Sequence, residues 1–257
     1  MMLQTFKVTI AQFGEIERQI RVCLPHDYRD SQEHYPVLYM HDGQNLFHDV
    51  DASYGVSWGL ADYLKKSKAP LIIVGIDCNH EGFERFNEYA PWENSTVGPE
   101  LLKFEGVYGG KGEAYIEFIL HTLKPLIDEK YRTKPDETLM AGSSMGGLIS
   151  TYAACRYPHI FQRVASLSSA YWFNQTEIER FIEESDLSGL KRFYMDIGTD
   201  EDTSKVDAAH YIRSSEEVYE VFKKKNIDMQ FEIIDGGVHH ETAWRERMPK
   251  IIEYLMK

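Results

Sequence analysis

The chain has few cysteines and no long apolar segment. Its three cysteines, Cys23, Cys78 and Cys155, are far apart and show no C-x-x-C spacing. An odd number of isolated cysteines argues against a disulfide framework and against a zinc site, and predicts buried, reduced thiols. No run approaches the roughly 18 apolar residues that cross a bilayer, and residues 1–14 lack the apolar core of a secretory signal. We therefore expect a cytoplasmic protein without a membrane partner.

Basic side chains are also scarce. There are 28 Lys and Arg against 41 Asp and Glu, which gives a formal net charge of −13. Such a surface repels the phosphate backbone of nucleic acids, so a nucleic-acid partner is not expected. The length of 257 residues suits one α/β domain, and no linker or internal repeat divides the chain. The prediction is a single domain over residues 1–257, while the oligomeric state is left open.

Short apolar runs alternate with segments of helical spacing along the chain. Residues 3–10 and 16–24 alternate around Gly14 and predict an antiparallel hairpin, and buried strands are predicted at 35–40, 70–77, 139–141, 164–168, 192–197 and 229–234. Helices are predicted at 55–66, 113–131 with a kink at Pro125, 145 onwards, 177–184, 207–225 and 242–256. This alternation predicts a mainly parallel sheet with helices on both faces, whose site lies at the carboxyl ends of the strands.

Two connections in this pattern bear on the shape of the site. The irregular stretch 78–112 is long for a compact domain and predicts a folded loop near the site. The segment between Ser168 and Arg192 is too short for a sizeable cap domain. We therefore expect an open cleft.

The segment around Ser144 has the strongest chemical signal. Gly142-Ser143-Ser144-Met145-Gly146 fits G-x-S-x-G between a predicted strand and a predicted helix. In that setting a serine is held on a sharp turn above the sheet, and small flanking residues avoid a collision between strand and helix. Ser144 is therefore the candidate nucleophile and Ser143 a spacer.

Polar loops follow three further predicted strands. His41-Asp42-Gly43-Gln44 follows the first, an acidic turn follows Ile197, and a Gly-Gly-Val-His turn with His239 follows the last. The order serine, acid, histidine is the one that the α/β-hydrolase fold imposes. A serine needs a base with a pKa near neutrality, and a carboxylate then orients the imidazole. Three neighbouring residues compete as that acid: Asp200, Glu201 and Asp202.

The same scheme requires two backbone donors for the oxyanion. One is the N–H of Met145, directly after the nucleophile, and the other comes from the loop near Gly43-Gln44. A backbone donor leaves the Gln44 side chain with little expected effect. No cofactor is expected, and the adjacent His239-His240-Glu241 lacks the spacing of a metal site. Three aromatic residues in loops after strands are the candidate substrate-binding residues: Tyr89, Trp92 and Trp172.

Taken together, four segments resemble the putative esterase (esterase D) family of α/β-hydrolases. They are M-H-D-G-Q-N-L-F at 40–47, G-S-S-M-G-G at 142–147, G-T-D-E at 198–201, and G-V-H at 237–239 followed by Glu241 and Trp244. The resemblance covers about residues 22–254. The family includes enterochelin esterases, feruloyl and acetyl xylan esterases, and S-formylglutathione hydrolases.

The resemblance implies specific site residues. It places the acid on Glu201, three residues after the glycine that ends its strand, and the histidine on His239, five residues before a tryptophan. It also places the second oxyanion donor on Gln44. Feruloyl esterases of the family tend to have His-Gly where this chain has Asp42-Gly43, which is closer to the enterochelin esterases. The resemblance therefore does not imply a particular substrate.

The expected activity is that of a serine carboxylesterase acting on small-molecule or carbohydrate-linked esters through an acyl-enzyme. The same residues would serve a thioesterase of the S-formylglutathione hydrolase type or an acyltransferase. A hydrolase-fold binding module without activity is the alternative from a different class. A comparison of ester and thioester substrates separates the first three, and labelling of Ser144 by a fluorophosphonate tests the last.

Overall fold

The fold is built around an eight-stranded sheet, seen in a computed structural model that describes residues 2–96, 105–203 and 206–257. Its strands are β1 (Met2–Ile10), β2 (Ile16–Leu24), β3 (Tyr35–His41), β4 (Ile72–Ile76), β7 (Thr133–Ser143), β8 (Phe161–Leu167), β9 (Arg192–Asp200) and β10 (Met229–Val238). The order across the sheet is β1-β2-β4-β3-β7-β8-β9-β10. A separate small ribbon pairs β5 (Glu93–Asn94) with β6 (Tyr108–Gly109).

The direction of the strands matches the predicted topology. β1 pairs with β2 antiparallel, β2 pairs with β4 antiparallel, and every neighbouring pair from β4 to β10 is parallel. A mainly parallel α/β sheet with an antiparallel N-terminal hairpin is therefore confirmed. Because the parallel strands all end at one edge, the loops after β3, β7, β8, β9 and β10 meet there.

Eight α-helices connect and cover the strands in the described part of the chain. They are α1 (Leu60–Ser67), α2 (Glu84–Tyr89), α3 (Gly112–Phe118), α4 (Lys124–Lys130), α5 (Met145–Arg156), α6 (Gln175–Glu184), α7 (Ala208–Phe222) and α8 (Glu241–Met256). Buried side chains of α3 to α7 pack on one face of the sheet, while those of α1 and α8 pack on the other. Helices on both faces are thus confirmed.

Strand β3 shows why this sheet carries two apolar layers. Val37 and Tyr39 contribute to one core, while Leu38 and Met40 contribute to the other. Successive side chains of a strand point to opposite faces, so a strand covered on both sides needs an unbroken apolar run. Complete burial of each such side chain contributes roughly 1.5–3 kcal/mol. The apolar run 35–40 therefore forms a strand in the interior of the sheet, between β4 and β7.

Several predicted boundaries differ from the structure. The predicted helix 55–66 begins only at Leu60, because Gly55 and Gly59 adopt φ values of 73° and 64° that end regular helix. The predicted helix 113–131 is not broken at Pro125. One π-helical turn at Ile119–Leu123 joins α3 to α4, so Pro125 lies at the start of α4, where its missing N–H costs little.

The irregular stretch predicted at 78–112 is partly regular. It contains helix α2 and the ribbon of β5 and β6, and its residues 97–104 lie outside the described part of the chain. Between β8 and β9 the structure has a 3-10 turn at Tyr171–Phe173 and helix α6. No cap domain is present in the described residues, as predicted.

Candidate active site

The turn between β7 and α5 places Ser144 above the sheet. Ser144 adopts φ 57° and ψ −123°, a backbone conformation that residues other than glycine rarely take. Hydrogen bonds hold it there, because its N–H donates to Leu167 O, and its carbonyl accepts from the N–H groups of Gly147 and Ala170, each at 3.0 Å. Strain of this kind persists only where the surroundings fix it, and it is common at reacting residues.

The glycines around Ser144 differ in how strictly they are required. A Cβ on Gly142 would lie 2.5 Å from Gly146 O, and a Cβ on Gly147 would lie 1.9 Å from Ser169 Oγ. A Cβ on Gly146 would lie no closer than 3.3 Å to any neighbouring atom, the nearest being His41 Cβ. The sharp turn therefore depends more on Gly142 than on the second glycine of the G-x-S-x-G pattern.

His239 and Glu201 meet at the ends of β10 and β9. His239 Nδ1 lies 2.6 Å from Glu201 Oε2. The Glu201 side chain has no exposed surface, whereas 13% of the His239 side chain is exposed. Because Nδ1 faces the carboxylate, the other ring nitrogen, Nε2, is the one left to act on a substrate.

The surroundings of Glu201 favour its ionised form. Its Oε1 accepts hydrogen bonds from Gly198 N at 2.8 Å and from Ser168 Oγ at 2.5 Å. Burial opposes ionisation, but the hydrogen bond and charge of His239, together with these two donors, outweigh it and lower the pKa of Glu201 below its ordinary value. A permanent carboxylate therefore faces the imidazole.

The neighbouring acids and histidine have other partners. Asp200 is exposed and accepts from Thr199 Oγ1, while the exposed Asp202 accepts from Ala208 N, at the start of α7, at 3.0 Å. His240 Nδ1 lies 3.0 Å from Thr242 Oγ1. Of the three candidate acids, Glu201 is the one that the structure brings to His239.

The loop after β3 brings Gln44 into position beside the elbow. Gln44 is the second residue of a 3-10 turn, Gly43–Asn45, and Met145 is the first residue of α5. The first N–H groups of a helical segment have no partner within that segment. The backbone N–H groups of Gln44 and Met145 are therefore available to a ligand. Both residues lie at the same edge of the sheet as Ser144.

An ion pair fixes the start of this loop. Asp42 takes the left-handed conformation, with φ 54°, directly before Gly43. Arg85 from α2 binds its carboxylate through two hydrogen bonds of 2.7 and 2.8 Å. Burial opposes ionisation of Asp42, but the Arg85 guanidinium lowers its pKa below the ordinary value. The pair therefore stays charged and ties the loop to α2.

The Gln44 side chain also has a structural function that the sequence did not indicate. Its Oε1 accepts from Cys78 N at 3.1 Å, and its Nε2 donates to Cys78 Sγ at 3.4 Å. These bonds join the loop after β3 to the loop after β4. The Gln44 side chain therefore connects two loops of the site, in addition to the backbone N–H that is the proposed donor.

Ser144 and His239 line one cleft, with a volume of 340 Å³. Its wall includes three aromatic side chains, of which Tyr54 is 71% exposed at the mouth while Trp58 and Trp244 are buried. The other lining residues are mostly polar or charged: Asp42, Gln44, Asn45, Ser53, Cys78, His80, Arg85, Ser143, Asp202, Thr203, His240 and Glu241.

The aromatic residues predicted to bind substrate do not line this cleft. Tyr89 is completely buried, and its hydroxyl accepts from Asp42 N at 3.1 Å, so it supports the loop and has no surface for a substrate. Trp92 packs edge-on against Tyr152 and Phe181, 5.6 Å between ring centroids in each case. Trp172 packs edge-on against Tyr211 at 5.9 Å. The prediction for Tyr89 is thus corrected, because its side chain belongs to the core.

Other residues near His239 were not identified from the sequence. The Tyr211 ring lies 4.9 Å from the imidazole and Trp244 lies 5.1 Å from it, both as centroid distances. Trp58 packs against Trp244 with the ring centroids 5.6 Å apart and the planes tilted by 41°. Trp244 occurs in the family pattern, but nothing in its spacing indicated contact with the histidine. Tyr211 lay in a helix whose apolar face predicted only a core position.

The structure also describes the cysteines, the lengths of the helices and the grouping of possible metal ligands. The three cysteines are free and buried, and burial raises the pKa of each thiol. No helix of the described residues is long and apolar enough to cross a bilayer. Within the same residues, no group of three or more His, Cys, Asp or Glu side chains is arranged to hold a metal ion.

Comparisons with known proteins agree with this architecture. Protein YbbA of Bacillus subtilis (strain 168) is 28% identical over 260 residues, which cover 97% of this chain and 96% of YbbA. An IroE-like serine hydrolase from Shewanella oneidensis superposes with a TM-score of 0.81 at 20% identity, over 99% of this chain and 80% of that one.

The enterobactin esterase FES from Shigella flexneri superposes with a TM-score of 0.75 at 18% identity, over 99% of this chain and 58% of that one. These structural similarities show a shared fold. The sequence model of the putative esterase family matches residues 12–255. The chain therefore belongs to the putative esterase family and is an ester hydrolase with the α/β-hydrolase fold.

Proposed function

We propose that the protein is a serine carboxylesterase that works through an acyl-enzyme on Ser144. The observation that carries the proposal is the 2.6 Å contact between His239 Nδ1 and a buried Glu201 carboxylate, at the cleft that Ser144 also lines. In this arrangement Ser144 is the nucleophile, His239 the base and Glu201 the residue that orients the imidazole. The backbone N–H groups of Gln44 and Met145 are the proposed oxyanion donors.

The reaction follows from these positions. Ser144 Oγ attacks the carbonyl carbon of the ester while His239 Nε2 takes the hydroxyl proton. The tetrahedral oxyanion collapses, the C–O bond to the alcohol breaks, and the imidazolium protonates the departing alkoxide. A water molecule, deprotonated by the same imidazole, then attacks the acyl carbon; the bond from that carbon to Ser144 Oγ breaks, the imidazolium returns its proton to Oγ, and the carboxylic acid leaves. Glu201 stays ionised throughout and stabilises the imidazolium.

Replacement of the nucleophile tests the proposal. We expect Ser144→Ala to lose activity toward short p-nitrophenyl esters and to resist labelling by a fluorophosphonate probe. Ser150→Ala is the matched control, since Ser150 is a buried serine of α5, the helix that follows Ser144, and its hydroxyl donates to Gly146 O. Undiminished turnover in a folded Ser144→Ala variant contradicts the mechanism. Absence of labelling in the wild-type protein favours a hydrolase-fold binding module.

The substrate class within ester hydrolysis requires a direct comparison. The same groups attack thioesters, and an acyltransferase differs only in the acceptor of the acyl group. Acetyl, feruloyl, siderophore and S-formylglutathione substrates should be compared by kcat/KM, with and without an added alcohol acceptor. A preference for the oxygen esters supports the carboxylesterase. A preference for S-formylglutathione identifies a thioesterase instead.

Location in the cytoplasm and a single-domain organisation stay predictions.

A further inference from the structure

A second buried carboxylate lies behind Glu201. Asp196, on β9, is 1% exposed, and its Oδ1 accepts a hydrogen bond of 2.9 Å from Arg247 Nη1 on α8. The same guanidinium approaches Glu201, with Nη2 at 3.7 Å from Oε1. Arg247 therefore stands between two buried acids, of which Glu201 faces His239.

Ser168 joins the members of this cluster. Its N–H donates to Asp196 Oδ1 at 3.2 Å, and its hydroxyl donates to Glu201 at 2.5 Å. The hydroxyl oxygen in turn accepts from Arg247 Nη1 at 3.2 Å and from Trp244 Nε1 at 2.9 Å. Ser168 adopts φ 44°, a strained value that places it at this junction. The four polar residues are thus connected by direct hydrogen bonds.

The charges in this cluster are unequal. Burial raises the pKa of Asp196 to about 6, so above that pH both carboxylates are ionised beside one guanidinium and the cluster has a net charge of −1 beside the imidazole. Removal of the Asp196 charge leaves Arg247 to compensate Glu201 and reduces that net charge to zero. Because the groups are buried, a unit charge several ångströms away still acts strongly on His239.

We propose that Asp196 and Arg247 are positioning residues that set the basicity of His239 through Glu201. Asp196 neutralises Arg247, and Glu201 consequently presents its full negative charge to the imidazolium formed during the reaction. This inference rests on the proposed function, since it assigns His239 as the base. Neither Asp196 nor Arg247 touches the substrate cleft.

Other ionisable groups face the cluster and remain unchanged in the test. Tyr194 donates its hydroxyl to Asp196 Oδ2 at 3.1 Å and also lies 3.5 Å from Glu232 of β10, which pairs with Lys250 of α8. On the side of the imidazole, Tyr211 of α7 packs against His239, and Glu241 lies beyond His240. Glu232, Lys250, Tyr211 and Glu241 keep their partners in all variants below, and Tyr194 can still donate to the amide oxygen of Asn at position 196.

The test compares Asp196→Asn with the double variant Asp196→Asn/Arg247→Met. The acid limb is the part of the pH profile in which kcat/KM falls as His239 is protonated. In the single variant we expect this limb to move about one pH unit lower, since the imidazolium loses stabilisation. In the double variant the net charge returns to −1, and the limb should return to within about 0.3 units of the wild-type position. A purely structural role predicts instead that a second buried substitution adds damage.

Asp228→Asn is the matched control, because Asp228 pairs with Arg192 near the opposite ends of the strands and is exposed. Its acid limb should match that of the wild-type protein. NMR titration of the His239 ring in all four proteins gives a readout that does not require activity, and it distinguishes failure of this inference from failure of the proposed mechanism. An unshifted imidazole titration in Asp196→Asn overturns the inference. If Asp196→Asn does not fold, the double variant is used alone. A His239 titration in the double variant that differs from the wild-type titration by more than about 0.3 pH units then overturns the inference.

Discussion

His239 Nδ1 lies 2.6 Å from Glu201 Oε2, and that carboxylate has no exposed surface. The contact fixes which ring nitrogen carries the proton, because an ionised carboxylate can only accept. It also leaves Nε2 free at the cleft. A histidine that met the exposed Asp200 or Asp202 would hold neither its tautomer nor its orientation as firmly.

Glu201→Gln should lower kcat by about 10² to 10⁴-fold, because an amide can stabilise the wrong tautomer and cannot stabilise the imidazolium. Asp200→Asn and Asp202→Asn are matched controls, since each removes one neighbouring acid of the same turn. We expect both controls to keep kcat within about three-fold of the wild-type value. The assay is p-nitrophenyl acetate turnover, with folding checked by circular dichroism. A larger loss in either control than in Glu201→Gln would transfer the role to that acid.

The two glycines of the G-x-S-x-G pattern should respond differently to alanine. Gly142→Ala forces a Cβ to within 2.5 Å of Gly146 O and should reduce the free energy of unfolding by more than about 2 kcal/mol. Gly146→Ala meets His41 Cβ at 3.3 Å and lies in helix α5, where alanine is favoured, so the change should stay within about 1 kcal/mol. Urea unfolding measures both values. Equal effects would show that the elbow relaxes around the added methyl group.

The parts of the candidate site that depend on chain order are the ones that a sequence can predict. Ser144 and His239 each follow an apolar run that ends in a glycine-containing turn, and parallel strands bring such turns to one edge. Glu201 could not be separated from Asp200 and Asp202 by their residue types, because three consecutive acids share the same turn. The backbone at the end of β9 directs Glu201 inward and leaves both neighbours exposed. That direction depends on the sheet register.

The walls of the cleft and the buried cluster were not predictable in the same way. Trp58 and Trp244 come from segments far apart in the chain and meet only because α8 packs beside the loop after β3. Asp196 lay inside a predicted core strand, where an acid gives no signal of its partner, and Arg247 lay on an ordinary amphipathic helix. Conversely, Tyr89 lay in a loop with polar neighbours, yet its ring fills the core beneath Asp42. Long-range packing decides all of these cases.

The charge of the cleft predicts a preference for uncharged esters. Arg85 is the one Lys or Arg of the described residues that line the cleft, and Asp42 already binds it through two hydrogen bonds. Glu241 is 3% exposed and accepts from Asn45 Nδ2 at 3.2 Å. We expect kcat/KM for 4-acetoxybenzoate to be about ten-fold lower than for the neutral 4-acetoxybenzamide, because the carboxylate of the former meets like charge.

Glu241→Gln should bring the ratio of kcat/KM for the amide-bearing ester to that for the carboxylate-bearing ester closer to one. Glu246→Gln, which changes an exposed acid of the same helix, should leave this ratio unchanged. Both ratios are measured at pH 7.5 from initial rates. A ratio of one in the wild-type protein would contradict a charge-selective cleft.

Asp196 should make the stability of the protein depend on pH. Burial raises the pKa of Asp196 to about 6, although Arg247 partly opposes the shift. A carboxyl group with a raised pKa stabilises the folded state while it is protonated, so this contribution is present below its unfolded pKa of about 3.9 and is lost as the pH rises through 6. Between pH 4.5 and 7.5 the wild-type protein should therefore lose about 2 kcal/mol from this group.

Asp196→Asn cannot lose that contribution, because its amide does not titrate. The difference in free energy of unfolding, variant minus wild type, should consequently rise by about 2 kcal/mol from pH 4.5 to 7.5. Other acids, including Glu201, titrate in both proteins and largely cancel in this difference. Urea unfolding at four pH values measures it, with Asp228→Asn as the exposed control. A difference that stays flat or falls with pH would mean that Arg247 fully compensates the Asp196 carboxylate in the folded protein.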